Sequence, residues 1–405
     1  MTAWEAVTLG DVAEFVRGIN FKPEDVVPIG TPGTVVCMRT KNVQADLDLS
    51  DVWAVSESFV KRADQYLQTG DILVSSANSW NLVGKCCWIP DLPWRASFGG
   101  FVSVLRPDRA KVDPRFLFRW FSSHRIQTTV RSFGQQTTNI SNLNMDRCLK
   151  LSFPLAPLRT QRQIAEVLDR AEALRGKRRT ALVQLDILIE AIFLEMFGDS
   201  ESRGWPEPTV ESLAAEIPNA IRTGPFGSQL LHSEFTDSGV AVLGIDNAVQ
   251  NSFVWGRPRF ITERKYLELA RYTVRPSDVL ITIMGTCGRC AVVPDDIPIA
   301  INTKHLCCIT LDRSRCLPIY LHACLLLHPR VLHRLGVRER GAVMPGLNMQ
   351  IIKELRIPLP PLSSQREFAA RVAAVDKLKT RQSLSLVELE ALFGALQHHA
   401  FTGKL

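Results

Sequence analysis

The 405-residue sequence contains no apolar run near the roughly 20 residues that cross a bilayer, and Met1-Thr2-Ala3-Trp4-Glu5 lacks the basic-then-apolar pattern of a secretory leader. Both absences point to a cytoplasmic protein without a membrane partner. Gly-x-Gly-x-x-Gly, Gly-x-x-x-x-Gly-Lys-Ser/Thr and Asn-Pro-Pro-aromatic segments are all missing, which excludes the usual nucleotide cradles and the signature of amino-methyltransferases. Glu263-Arg264-Lys265 has the spacing of half a nuclease metal site, but Thr262 suits a helix N-cap and no Pro-Asp partner stands at a workable distance. The eight histidines, His398-His399 included, fit neither a metalloprotease nor a triad pattern. The reading is therefore of a chain with no catalytic residue, no metal ligand and no cofactor of its own.

Disulfides have little support. The ten cysteines are dispersed, several within apolar runs such as Cys86-Cys87-Trp88-Ile89 and Leu306-Cys307-Cys308-Ile309, and read as buried free thiols. Cys287-x-x-Cys290 is half a zinc signature, but Cys307-Cys308 lacks the spacing of a second half. Charge of either sign is not in large surplus: 48 basic against 41 acidic residues leave +7, too little by itself to name a polyanionic partner. With 46% hydrophobic and 22% charged residues, the chain is ordinary globular material with enough length for two or three cores.

What the sequence does contain is a copy of itself. Asn142-Leu143-Asn144-Met145 answers Gly346-Leu347-Asn348-Met349, and Pro154-Leu155-Ala156-Pro157-Leu158 with Gln161-Arg162 answers Pro358-Leu359-Pro360-Pro361-Leu362 with Gln365-Arg366, both at an offset of 204. The same offset relates Leu9 to Leu213 and Gly84-Lys85-Cys86 to Gly288-Arg289-Cys290, while Asp71 and Asp278 stand 207 apart. A frame kept across the whole chain with most side chains changed suits one scaffold carrying two different reading surfaces. The period is far too long for a solenoid.

Each repeat closes on a long periodic segment, Thr160 to Phe197 and Ser364 to about Phe401. Thr160-x-x-Gln163 and Ser364-x-x-Glu367 predict capping boxes at their starts, and Gly198 predicts a left-handed stop for the first, a rod of roughly 55 Å at 1.5 Å per residue. Spacing of four and three picks out Ile164, Leu168, Ala171, Arg175, Arg178, Leu182, Leu185, Ile189, Ile192 and Met196, and in the second copy Phe368, Val372, Val375, Lys379, Gln382, Leu386, Leu389, Phe393, Leu396 and Ala400. Both stripes break at the same central place, as two helices pairing with each other would. The charges at the break fix register or lean to solvent; Lys177-Arg178-Arg179 reads as a solvated face ahead of a phosphate contact.

Between the helices the pattern is mixed α+β. Strand-like runs include Gly33–Cys37, Asp71–Val74, Phe101–Leu105, Val240–Leu243, Asp278–Thr282 and His305–Ile309, and short helices are expected over Pro114–Ser123, Glu263–Ala270 and Ile319–Leu327. Loops of small and polar residues follow the two Asp-led strands, and their Ser75, Ser76, Asn78, Trp80, Asn81, Thr286 and Arg289 either meet a nucleic acid or simply connect a hairpin. A second pair of loops holds Arg131, Gln135, Gln136, Thr138 and Asn139 in one copy and Arg338 and Arg340 in the other, beside the anchor Asn348. Gln and Asn suit adenine and Arg suits guanine, so these are candidate base readers.

Gly70-Asp71-Ile72-Leu73-Val74, the Leu-Asn anchors, Pro-Leu-x-Pro-Leu-x-x-Gln-Arg before each helix, Met196-Phe197-Gly198-Asp199 and the ending Ala400-Phe401-Thr402-Gly403-Lys404-Leu405 together resemble the specificity subunits of Type I restriction–modification systems. The likeness runs end to end; Ser277 in place of the usual glycine and the Ser75-Ser76-Ala77-Asn78 loop are its departures. It implies two pseudo-symmetric α/β target-recognition domains, residues 1–158 and 199–362, separated by two long helices, 159–198 and 363–405, that form an antiparallel coiled coil. Ile164, Leu168, Leu182, Leu185, Ile189, Ile192, Phe368, Val372, Leu386, Leu389 and Phe393 would form that coil and its partner interface. It further implies that the chain reads a bipartite, asymmetric target on double-stranded DNA and recruits two modification subunits and two restriction subunits. Those partners would use S-adenosylmethionine, ATP and Mg2+. A stand-alone DNA-binding regulator and a structural adaptor of a defence complex are the alternatives.

Overall fold

The computed structural model describes residues 4–136, 140–199, 202–336 and 347–404. Contacts gather the chain into two compact units, Met1–Arg179 with Leu384–Leu405, and Thr180–Ser383. Each unit is one α/β domain with half of each long helix, so the division runs through the helices.

In the first unit, β1 (Glu5–Thr8) pairs with β13 (Ser152–Leu155), bringing the start of the domain to its end. The main sheet is antiparallel in the order β2 (Ala13–Arg17), β10 (Val102–Pro107), β6 (Ile72–Ser75), β8 (Cys86–Trp88). A second sheet runs β3 (Val26–Val27), β5 (Trp53–Ser56), β4 (Thr34–Met38), β9 (Ala96–Phe98), with β4 and β9 parallel. The unbroken apolar run of β6 follows from burial on both faces. Ile72 and Val74 join a core with Phe116, Leu117, Ile164 and Leu168, while Leu73 joins Val16, Val36, Phe98 and Val104 under the second sheet. The helical layer holds α1 (Pro114–Phe121), capped by the Asp113 carboxylate at the Arg115 and Phe116 amides, and α2 (His124–Ser132). Three short strands and a helix, β7 (Ala77–Asn78), β11 (Gly134–Gln136), β12 (Ser141–Leu143) and α3 (Met145–Leu149), precede α4 (Leu158–Phe197).

The second unit repeats this plan. Its main sheet is β14 (Ile221–Thr223), β21 (Leu306–Ile309), β18 (Val279–Thr282), β19 (Cys290–Val292), and its second is β16 (Phe260–Ile261), β15 (Val240–Leu243), β20 (Ala300–Asn302), β17 (Thr273–Val274), with β15 and β20 parallel. Here too the central strand alternates between two cores, Val279 and Ile281 against the helices and Leu280 against the second sheet. The helices are α5 (Glu263–Leu269), α6 (Pro318–Leu327), α7 (Pro329–Arg334), α8 (Met349–Glu354) and α9 (Leu362–Phe401). The duplication read from the sequence is thus a duplication of topology in the main sheet and in three strands of the second, β5-β4-β9 and β16-β15-β20, whose fourth strand lies beside β5 in one copy and beside β20 in the other. Nine of the ten cysteines are buried free thiols and Cys287 is half-buried. Burial pushes Cys37, Cys87, Cys148, Cys307 and Cys316 up to about 12.

The long helices start differently from the capping-box expectation. Both begin two residues earlier, with the Gln161 amide donating to the Pro157 carbonyl and the Gln365 amide to that of Pro361, so Thr160 and Ser364 lie inside the first turn. The fully buried Gln161 side chain donates to the carbonyls of Ala156 (2.7 Å) and Lys111 (3.3 Å) and accepts from the Asp113 amide (2.7 Å). Gln365 repeats all three bonds, to Pro360, Arg315 and the Leu317 amide. The Gln of each Gln-Arg motif therefore ties the long helix to the start of the domain's first buried helix. Replacing Gln161 by leucine strands three buried backbone groups, and we expect a loss of about 2–4 kcal/mol by urea unfolding, at about 1–3 kcal/mol for each unsatisfied group with partial relaxation. At the other end α4 does stop at Gly198, whose amide donates to the Leu194 carbonyl. Gly198 is not left-handed, however; that conformation belongs to Gly403 after α9 (φ 73°).

Within each unit the two helix halves pair antiparallel. In the first, Ile164 and Leu168 of α4 share a core with Phe393 and Ala400 of α9; in the second, Phe193 and Phe197 share one with Phe368 and Val372. Leu182, Leu185, Ile189, Ile192, Leu386 and Leu389 are half-buried. At the polar break Arg175 is withdrawn from solvent, lying 4.4 Å over the Phe393 ring and pairing with Glu172 (2.5 Å), while Arg179 reaches Glu390 (3.0 Å) and Lys379 pairs with Asp186 (2.6 Å) on exposed flanks.

Two histidines of the second unit set a pH dependence. Burial lowers the pKa of His322, held between the carbonyls of Asn251 and Cys290 at 3.0 Å, and of His328, which stands edge-on to Phe193. Each therefore takes up a proton less readily in the folded protein than in the unfolded chain, where the ordinary value is 6.5. The unfolded state then binds more protons around pH 6.5, so the contribution of these imidazoles is level above neutrality and stability falls as pH drops through 6.5, by up to about 1.4 kcal/mol per pH unit per imidazole. Urea midpoints from pH 7.5 to 5.5 should show this fall, and His328→Phe should make it shallower.

Candidate nucleic-acid interface

Each domain carries a hairpin built on a buried carboxylate. Asp71, at the foot of β6, accepts from Arg106 Nη2 (2.6 Å) and Nε (2.9 Å) and from the Gln68 amide. Asp278, at the foot of β18, accepts from Arg222 Nη2 (2.5 Å), Thr310 Oγ1 (2.6 Å) and the Arg275 amide (2.7 Å). The residue before each is left-handed, Gly70 at φ 94° and Ser277 at φ 64°, so the serine departure keeps the backbone of the glycine it replaces.

The far ends of these hairpins are also equivalent. The Gly84 amide donates to the Ser75 carbonyl and the Ser75 amide to Lys85; Gly288, Thr282 and Arg289 repeat both bonds at 2.8 Å. Eight residues lie between Ser75 and Gly84, but five between Thr282 and Gly288. This accounts for the return of the sequence offset from 207 to 204, and it locates a divergence between the copies in a loop rather than in the frame.

In the first domain the longer loop forms β7, which pairs with β12, itself paired with β11. One small sheet therefore unites the two loop regions singled out in the sequence. Trp80 is exposed, with an indole edge near the α-carbon side of Gly134, and Asn81, Arg131 and Gln135 are exposed as well. Asn78 is half-buried, its amide group shared between Ser75 Oγ and the Ser79 backbone. Ser75 and Ser76 are 1% and 8% exposed; they lie beneath the surface as part of the hairpin frame, because the strand carries straight into them. Gln136 lies in β11, and Thr138 and Asn139 fall outside the described residues.

In the second domain Thr286 and Arg289 are half-buried in the shorter loop, and the Thr286 carbonyl accepts from Thr282 Oγ1 (2.5 Å). Arg338 and Arg340 lie outside the described residues. Asn348 is the N-cap of α8, accepting from the Ile351 amide at 3.0 Å, as Asn144 caps α3 at the Arg147 amide. The Leu-Asn anchor is thus a helix cap in both copies, which occupies the Asn348 oxygen. Among the described residues no group of three or more His, Cys, Asp or Glu side chains is placed to hold a metal ion, and no helix is long and apolar enough to cross a membrane.

Phe101, expected from the sequence only as the start of a strand, stands 64% exposed at the turn before β10. Its carbonyl accepts from both Ser76 and Ala77 amides at 3.1 Å, placing it against the segment that leads into β7. The counterpart in the second domain is His305, whose carbonyl accepts from the Ile283 amide at 2.9 Å. The signal available in the sequence was the 204 offset that relates the two positions.

Two copies of one two-sheet domain, each with half of two antiparallel helices and with divergent loops on a common hairpin, define the class: a duplicated specificity-domain protein. The chain belongs to the Type I restriction modification DNA specificity domain family, whose model matches residues 1–182 and 233–389, one stretch on each repeat. It is 23% identical to the EcoKI type I restriction enzyme specificity subunit of Escherichia coli K12 over 99% of this chain and 89% of that one. It is 22% identical to the StySPI specificity subunit of Salmonella potsdam over the same shares. Among solved structures, a chain of a type I R-M system studied for complex assembly and conformational transition matches with a TM-score of 0.61 at 18% identity, covering 100% of this chain and 99% of that one. The type I restriction–modification S subunit of M. genitalium matches at 0.56 and 15% identity, over 98% and 96%.

Proposed function

We propose that this chain selects the DNA target of a type I restriction–modification complex, each domain reading one half of a bipartite, asymmetric site on double-stranded DNA. The observation that carries this reading is the pairing of a duplicated frame with unlike loops: the Asp-anchored hairpin is the same in both domains, and what it presents is not. Trp80, Asn81, Arg131 and Gln135 are the exposed contact set in the first domain, with Thr286 and Arg289 in the second; Gln136, Thr138, Asn139, Arg338 and Arg340 belong to the same loops by sequence. Phosphate contacts would place the protein and base-edge contacts would give sequence choice.

The chemistry belongs to partners: two modification subunits using S-adenosylmethionine and two restriction subunits using ATP and Mg2+, assembled in the cytoplasm. Exposed apolar side chains on the long helices, Leu174, Val183, Ile187, Leu384, Val387 and Leu392, each at least half exposed, support docking of such partners there. Exchanging residues 1–158 for those of a relative should change one half-site of the methylated sequence and leave the other as it was, read by mapping methylation in cells with the intact system. A change in both halves, or no sequence-specific methylation, overturns the reading; the latter outcome favours a regulator or adaptor.

A further inference from the structure

We propose that Phe101 is a specificity-determining residue of the first domain, making apolar contact with the C5-methyl group of a thymine, and that His305 holds the same station in the second. The inference rests on the reading that these domains bind DNA. Three observations carry it.

The first is presentation. Phe101 stands 64% exposed at the end of Phe98-Gly99-Gly100, held by two hydrogen bonds from Ser76 and Ala77. Ala77 pairs through β7 with Asn142 of β12, and β12 pairs with β11, which carries Gln135. The Phe101 turn and the candidate contact loops are thus fastened to one another by backbone bonds.

The second is mounting. A Cβ on Gly18 would lie 2.4 Å from the carbonyl oxygens of Phe98 and Gly99. The end of β2 therefore presses against the turn, and glycine is required for the approach. The backbone of so tightly backed a turn is held in place, which fixes the point from which the side chain reaches out, as discrimination between bases needs.

The third is the second copy. Gly224 repeats the close approach, with a Cβ there 1.9 Å from the Asn302 carbonyl oxygen, and His305 repeats the hydrogen bond to the neighbouring hairpin. The mount is duplicated while the presented group changes from a phenyl to an imidazole, and its predecessor from Gly100 to Lys304. A kept mount with exchanged chemistry marks a position of choice. In the major groove the thymine methyl is the apolar group that a base edge offers, and phenylalanine has no hydrogen bond to give. The imidazole of His305 can exchange hydrogen bonds with a base edge instead.

The test uses the assembled complex and DNA carrying its mapped target, with each thymine of the first half-site, on either strand, replaced in turn by deoxyuridine. One replacement should weaken wild-type binding about four-fold, the loss of one buried methyl. Phe101→Ala should bind thymine DNA about that much more weakly and no longer sense the replacement, whereas Phe101→Leu should still sense it. Binding to changes in the second half-site should be unaltered in both variants. The proposal is overturned if Phe101→Ala keeps the wild-type response or if no deoxyuridine matters, including the case in which the phenyl wedges between bases. In each of those cases the exchange of residues 1–158 still moves one half-site if the domain reads DNA, so the two failures are separable.

Discussion

Arg222→Leu should destabilise the second unit by about 3–5 kcal/mol, measured as a shift in the urea unfolding curve, because it leaves the Asp278 carboxylate buried without its cation. Asp278 is 1% exposed and Arg222 4%, so water cannot take the place of the lost partner. The first unit shows how the loss can be repaired. There the cation is Arg106 on β10, and the station of Arg222 is held by Val16: Val16 pairs with Val104 as Arg222 pairs with Cys308. Arg106 in turn corresponds to Thr310, one residue beyond the pairs Leu105 with Ile72 and Ile309 with Val279. The two domains hold one buried ion pair by reaching from different strands. Arg222→Val combined with Thr310→Arg should therefore recover more than half of the lost stability. If the double variant is no more stable than Arg222→Val alone, the two stations are not interchangeable.

The same pair shows where sequence reading stops. The repeat is legible because an offset survives side-chain change, and the helix seams are legible because burial on one face of a helix leaves a period of 3.6. Every seam position chosen from the sequence is buried or half-buried in its own unit. The buried arginine was not legible: Arg106 and Arg222 are 35 and 56 residues from their carboxylates and lie on non-equivalent strands. Thr160-x-x-Gln163 satisfies the local capping pattern, yet the helices begin at a proline carbonyl and the decisive glutamine bonds reach about 50 residues back along the chain. Helix α2 was missed because its sequence is polar and only Val130 of it is buried. At the candidate interface, local composition marks the candidate loops, but exposure within them depends on where β6 ends, which is why Ser75 and Ser76 are beneath the surface while Trp80 is on it.

Phe193→Ala should cost about 3–5 kcal/mol in the second unit, comparable to the loss of the ion pair but from a different cause. The expected seam of α4 ran through Ile189, Ile192 and Met196, all half-buried, whereas Phe193 and Phe197 are at most 1% exposed. In this half of α4 the more deeply buried stripe is set by the domain as well as by the other helix. Phe193 packs on Phe197 (5.3 Å between centroids), on Phe368 of α9 (5.6 Å) and on Tyr320 of α6 (6.2 Å), mostly in edge or tilted arrangements that aromatic quadrupoles favour. Tyr320 closes the cluster by donating to the Pro358 carbonyl, just before α9 begins. Removing the central ring therefore opens a cavity where both long helices and the domain meet, and no neighbour is free to collapse into it without giving up its own contacts. Ile187→Ala on the same helix removes an aliphatic side chain that is 59% exposed, and should change stability by no more than about 0.5 kcal/mol. Urea unfolding of the two variants side by side decides the matter: equal losses would mean that the aromatic cluster holds this helix half to the domain no better than an exposed side chain does.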